Sequence, residues 1–329
     1  MNSRVFVISR NCFQKIQMRG IMIYKMKKLI TAILFLILSS PLCFSLSDFH
    51  FSIEPRISLS YGELNELLYS SDGNLVSQLD WEQKPLFYYG LEADITLKNF
   101  RIITLFESSL PVGTSYMYDY DDFDGNGTFD KLSKHPIDRT INFNTELTFS
   151  YNLQLSSAFT IIPLLHFQYL FNKFEADKGL ILFGQRTQGK TVYANKIDYL
   201  RHSFFIFSGI SLKISPLKKS FFTVDFLISP WGYQYAIDYH HGSGKDPRYP
   251  FSTYDYIYSY FSKFKFNVSA NCIINSFFSI QVFTSFLFGS ADNGYFYTDY
   301  ESDELYLSSQ KSGAKINYIK TGLSLRFNF

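Results

Sequence analysis

The sequence predicts an all-β fold: a ten-stranded antiparallel transmembrane β-barrel with long extracellular loops and short periplasmic turns. Three observations predict it. Aromatic residues make up 19% of the 329 residues, 36 Phe and 25 Tyr among them, while charged residues make up only 18%, against roughly 25% in an ordinary soluble domain. After residue 45 apolar and polar residues alternate with the period of a strand, and no sustained helical period appears. The connections between alternating segments are short and long in turn, as a barrel with tight turns on one rim and long loops on the other requires. Opposite faces then cancel in the average, which explains a mean hydropathy of -0.04 in a chain that meets lipid.

The elements follow in order. The apolar run from Leu29 to Leu38 is too short for a helical span of roughly 20 residues. With Met26-Lys27-Lys28 before it and small residues up to Ser45 after it, it reads as a secretory signal peptide over 26–45. Residues 1–25 read as an upstream extension ahead of the true start, and 46–329 as the barrel. Long polar connections are expected at 61–74, 112–136, 176–195, 235–251 and 292–314, and short ones at 98–99, 152–157, 215–219 and 271–275. These nine connections join ten strands. In the fourth strand Ile141, Phe143, Leu147, Phe149, Tyr151 and Leu153 share one face, opposite Asn142, Asn144, Glu146, Ser150 and Asn152. In the ninth, Phe278, Ile280, Val282, Phe286 and Phe288 alternate with Ser279, Gln281 and Ser285. In the tenth, Ile319, Leu323, Leu325, Phe327 and Phe329 oppose Lys320, Ser324, Arg326 and Asn328. The terminal Leu-Arg-Phe-Asn-Phe329 resembles the last strand of bacterial outer-membrane proteins. Phe is expected on the lipid face and Tyr in the interfacial girdles.

Composition excludes several function classes. A net charge of +2 excludes a nucleic-acid binder that works by bulk electrostatics. Of three cysteines, Cys12 and Cys43 fall before the barrel, so Cys272 has no partner for a disulfide or a thiolate zinc site and reads as inert. No G-x-S-x-G, H-E-x-x-H or phosphate-cradling glycine loop is present. The chemistry-bearing residues lie at one end of the barrel. Asp119-Tyr120-Asp121 and Asp238-Tyr239-His240 each place two groups on the same side of an extended segment. Two carboxylates facing a carboxylate-oriented imidazole can hold and deprotonate a water, although the same spacing suits a solvated acidic loop. His241 stands beside His240, and spacing alone does not choose between them. Asp122 to Asp130 begins like a D-x-[DN]-x-[DN]-G calcium loop but carries Ser133 where the bidentate Glu belongs. His135 reads as positional, His166 and His202 as structural.

Four blocks in order resemble the omptin family of outer-membrane proteases: Val76-Ser77-Gln78-Leu79-Asp80-Trp81, Met117-Tyr118-Asp119-Tyr120-Asp121, Ser133-Lys134-His135-Pro136, and Trp231 followed by Asp238-Tyr239-His240. The resemblance implies an aspartic-type endopeptidase over 46–329 in the cell outer membrane, with its cleft facing the extracellular side. His240, oriented by Asp238, would be the general base, and Asp119 and Asp121 would bind the nucleophilic water. His240 rather than His241 keeps the family's D-x-H spacing. Peptide or protein substrates with basic residues are implied, with Glu66 as one acid of the pocket for the residue before the cut; the second acid's position is Ala236, which weakens strict Arg selectivity. Phe171 and His202 stand where lipid-gripping arginines would be expected. The chain is therefore expected to act without lipopolysaccharide or any other cofactor, as a monomer whose other partner is outer-membrane lipid. The competing reading is a non-catalytic barrel on the same scaffold, an adhesin or a narrow porin; a soluble β-sandwich enzyme is a third.

Overall fold

The computed structural model describes residues 49–111, 115–184, 193–241, 251–300 and 304–329. The expected signal peptide and upstream extension lie outside the described residues. Ten antiparallel strands close into a ring. They are β1 (Phe49–Tyr69), β2 (Leu75–Leu97), β3 in two pieces (Phe100–Ser109 and Tyr116–Asp121), β4 (Lys131–Tyr151), β5 (Phe159–Ala176, continued by Gly179–Phe183), β6 (Ile197–Leu217), β7 (Ser220–His240), β8 in two pieces (Phe251–Ser259 and Lys263–Ile273), β9 (Phe278–Tyr300) and β10 (Glu304–Asn328). Each strand pairs with its neighbour in sequence, and β10 returns to β1 from Ser52↔Asn328 to Tyr69↔Lys311. Closure satisfies the backbone of every strand without an edge in lipid.

Burial along the lower half is inverted relative to a soluble sheet. On β4 the polar residues Asn142, Asn144 and Ser150 are buried. On β9 and β10 Val282, Phe288, Ile319 and Leu323 are exposed while Ser279, Lys320 and Ser324 are buried. The alternating apolar face therefore points to lipid and the polar face to the lumen. There the polar side chains pair across the lumen, Lys320 with Glu107 at 2.7 Å and Lys265 with Glu146 at 2.6 Å, and between neighbouring strands, Arg326 with Glu54 at 2.7 Å.

All five stretches expected to be long loops are corrected in part. β1 runs on to Tyr69, β7 to His240 and β9 to Tyr300, and a separate piece of β3 covers Tyr116–Asp121, so residues read as loop are strand. β1 has 21 residues and β2 has 23, roughly twice the 9–11 that cross a bilayer. The upper half of the barrel stands in water, where both faces of a strand tolerate polar residues. The alternation that marks the lower half therefore fades without the strand ending. The fifth stretch, between β5 and β6, is also partly strand, with Gly179–Phe183 folded against β4 and a two-residue piece at Tyr193–Ala194.

The placement of Phe is corrected as well. Phe174, Phe205 and Phe207 are fully buried and belong to one core cluster with Trp81, Met117, Leu64, Leu79, Tyr199, Ala236 and Leu287. Trp81 of β2 lies between Phe174 of β5 and Tyr199 of β6, its ring stacked at 5.2 Å from each. β5 and β6 are neighbours that place Phe174 and Tyr199 side by side, whereas β2 is adjacent to neither, so Trp81 meets both rings across the lumen and forms an aromatic floor with them. Gly232 makes room for this floor, since a Cβ there would stand 2.6 Å from the Phe205 ring. Trp81→Ala is expected to lower stability by about 3–5 kcal/mol, the range for removing a buried aromatic, read as a lower midpoint for loss of the folded band in heat-modifiable gel electrophoresis. A shift no larger than that of a lipid-facing Phe→Ala control would refute a load-carrying floor.

Candidate active site

The candidate residues sit against this floor, Tyr199 lying directly opposite Asp238 in the register of β6 and β7. β7 carries Ala236, Asp238 and His240 on its lumen face, because alternate residues from the buried Gln234 onward point inward. Asp238 is buried, and its Oδ2 lies 2.5 Å from Nε2 of half-buried His240. Burial opposes a charge on His240, but the Asp238 carboxylate, its hydrogen bond, and then Asp119 and Asp121 outweigh it and hold the imidazole pKa above its ordinary value. That both carboxylates of the second pair act on His240 means that the two sequence pairs share one cleft.

His241 faces the other way. Its Nε2 meets Asp198 Oδ2 of β6 at 2.8 Å in an exposed pair. The strand parity that sequence spacing left open for a loop is fixed here by β7, and it turns His240 inward.

Asp119 and Asp121 occupy the upper piece of β3, opposite Ser133 and Lys131 of β4. Lys131, which sequence reasoning did not single out, bridges them: its Nζ donates to Asp119 Oδ2 at 2.9 Å and to Asp121 Oδ2 at 2.6 Å. The two carboxylates respond differently. Burial acts against ionisation of Asp119, yet Lys131 and His240 hold its pKa below the ordinary value. Burial and then the neighbouring Asp119 charge push Asp121 up. Asp119 is thus the anion of the pair and Asp121 the member that more readily keeps a proton.

A relay fixes Asp119 from behind. Ser133 Oγ donates to Asp119 Oδ2 at 3.2 Å and lies 3.0 Å from His135 Nε2, while His135 Nδ1 lies 2.9 Å from the carbonyl oxygen of Asp177. His135 is fully buried, and Gly179 packs against its ring so closely that a Cβ would stand at 2.5 Å. The positional reading of His135 agrees with this arrangement.

Glu66 of β1 is buried, in a group that includes Asp255 of β8, Asp238 and Arg201 of β6. Burial, then the charges of Asp255 and Asp238, push Glu66 well above the ordinary carboxylate range. Asp255 and Arg201 are further site residues that no sequence motif marks. The calcium-like segment spends its carboxylates on its own backbone: Asp122 accepts from the amides of Gly125 at 2.8 Å and Gly127 at 2.6 Å, and Asp130 from that of Phe123 at 3.0 Å. Among the described residues no group of three or more His, Cys, Asp or Glu is gathered as metal ligands. Phe171 and His202 lie directly opposite each other on β5 and β6, with rings 5.2 Å apart, in an aromatic patch with Tyr169 and Tyr235.

The model of the omptin family matches residues 48–329. Among solved structures, the outer membrane protease OmpT from Escherichia coli aligns over 88% of this chain and 100% of its own length, at 16% identity and a TM-score of 0.73. Two other barrels align at lower similarity: the transport unit of the autotransporter AIDA-I from Escherichia coli, covering 91% of this chain and 97% of its own at 8% identity and a TM-score of 0.32, and the Pseudomonas putida toluene transporter TodX, covering 87% and 91% at 9% identity and a TM-score of 0.27. No curated protein sequence matches the chain.

Proposed function

The chain belongs to the omptin family of outer-membrane β-barrels, and from that premise we propose that it is an endopeptidase that hydrolyses exposed peptides at or between basic residues with an activated water. One observation carries the proposal: a hydrogen-bonded Asp238–His240 pair, beside the buried aromatic cluster, feels the charges of both Asp119 and Asp121. His240, with one ring nitrogen on Asp238, accepts the water's proton at the other; Asp119 and Asp121 hold that water, each having committed only Oδ2 to Lys131. The water attacks the peptide carbonyl directly, with no acyl-enzyme, and the imidazolium returns the proton to the leaving amine. The cleft faces the extracellular side, the chain acts as a monomer in outer-membrane lipid without a cofactor, and 26–45 directs its export. The aromatic floor speaks against a narrow porin, because Trp81, Phe174 and Tyr199 occupy the path an ion would take.

The refolded barrel is expected to cleave a dibasic fluorogenic peptide. Its kcat/KM should rise with pH through an acid limb above about 6.5, the ordinary imidazole value. The sign follows from His240: only the neutral ring accepts a proton, and the surrounding carboxylates favour the protonated ring. Asp121→Asn removes one of those charges and should move the limb down. A limb at or below the ordinary value in the unaltered protein would contradict His240 as the base.

A further inference from the structure

Resting on the endopeptidase reading, we infer that Asp255 supplies the second acid of the pocket that receives the basic side chain before the cut, in place of the acid missing at position 236. In the register of β7 and β8, Ala236 lies directly opposite Asp255, and on its other side opposite Arg201 of β6. Residues opposite one another across an antiparallel pair project to the same face, so Arg201, Ala236 and Asp255 form one row on the lumen wall. Asp255 is fully buried and Glu66 nearly so at 2%, and the two carboxyls face each other, Glu66 keeping a proton that it gives in a hydrogen bond to Asp255, with Ser312 beside Asp255. Among the described residues neither forms an ion pair.

Two buried acids that face each other cannot both ionise unaided, and a guanidinium or ammonium from outside is the group that would let them do so. The charge of Arg201 reaches both acids, but among the described residues it forms an ion pair with neither. Its guanidinium donates to the side chains of Ser203 and Gln234 and to the carbonyl oxygen of Lys315. Its position explains why the acid is displaced. An acid at 236 would stand directly beside Arg201 on the next strand, whereas at 255 it stands two strands away, about 10 Å along the sheet, where the Arg201 charge is felt but is outweighed by burial and Asp238. Small residues flank both carboxylates, Ala236 beside Asp255 and Ala314 beside Glu66, leaving methyl groups where longer side chains would fill the space an arginine needs. Burial and the charge of Asp238 also push Asp255 up to about 6, which a bound cation would reverse.

The test uses the full barrel refolded in detergent and peptides that differ only before the cut, with Arg or its uncharged isostere citrulline. A third peptide carries Arg and an N-methylated, uncleavable scissile amide, and its binding is measured by calorimetry. Asp255→Asn is expected to reduce the Arg-over-citrulline ratio of kcat/KM at least tenfold and to weaken the N-methylated Arg peptide by a similar factor. Asp255→Glu should retain both, which a packing role for the side chain would not produce. The heat-modifiable gel shift reports that each variant is folded. A ratio within twofold of the unaltered barrel in Asp255→Asn overturns the inference and leaves the endopeptidase reading standing. If no peptide is cleaved but the N-methylated peptide binds in an Asp255-dependent way, hydrolysis fails and the pocket stands. Neither cleavage nor binding overturns both.

Discussion

Cleavage of a dibasic peptide is expected to fall at least ~1,000-fold in His240→Ala, and by a comparable factor in Asp238→Asn, with the folded gel band unchanged; a positioned base contributes roughly 10²–10⁴. The two losses have different physical origins. Alanine removes the proton acceptor. Asparagine leaves the ring in place but exchanges a carboxylate 2.5 Å from Nε2 for an amide, which no longer stabilises the imidazolium and can present its NH2 to the ring, stabilising the wrong tautomer; the same exchange in serine proteases costs about 10⁴. Oδ1 of Asp238 is buried without a partner, so nothing in the unaltered site fixes the amide's orientation. His241→Ala is the matched control, because His241 pairs with Asp198 on the other face of the strand and should stay within twofold of the unaltered rate. Residual activity in His240→Ala equal to that of His241→Ala would sink the assignment of the base.

The D-x-H spacing was legible in the sequence, but its parity was not. A loop has no fixed inside, and only the continuation of β7 to His240 turns that residue inward and its neighbour outward. The same continuation explains why the lower barrel could be read and the upper barrel misread. Where a strand crosses lipid, Val282, Phe288 and Leu323 must alternate with Ser279, Lys320 and Ser324; where it stands in water, that constraint is lifted. Contacts between strands were beyond reach for another reason. Lys131 meets Asp121 because β3 and β4 pair in one register, and Asp255 meets position 236 because β7 and β8 do. A single sequence carries no record of either register. The aromatic floor joins Trp81, Phe174 and Tyr199 across the lumen, and each alone reads as one more ring in an aromatic-rich chain.

The second large effect concerns the water-holding pair, and its two members should not lose equally. Asp119→Asn is expected to lower kcat/KM by about 10²–10³, the scale of removing one preorganised electrostatic contact, and Asp121→Asn by clearly less near neutral pH. Lys131 and His240 keep Asp119 ionised, whereas burial and Asp119 itself favour a proton on Asp121. An amide therefore resembles the form of Asp121 already present in part, but replaces at Asp119 a charge the site relies on. Lys131→Met should unmask this asymmetry. Without the ammonium that bridges both carboxylates, two like charges face each other and one of them must take up a proton. Asp119 loses its main counter-charge, so the variant's loss should be larger at pH 6 than at pH 8. Combining Asp119→Asn with His240→Ala should cost little beyond His240→Ala alone, because both act on one water and such groups are far from additive. Equal losses for the two asparagine variants, or a fully additive double variant, would mean that the carboxylates do not hold the water that His240 deprotonates.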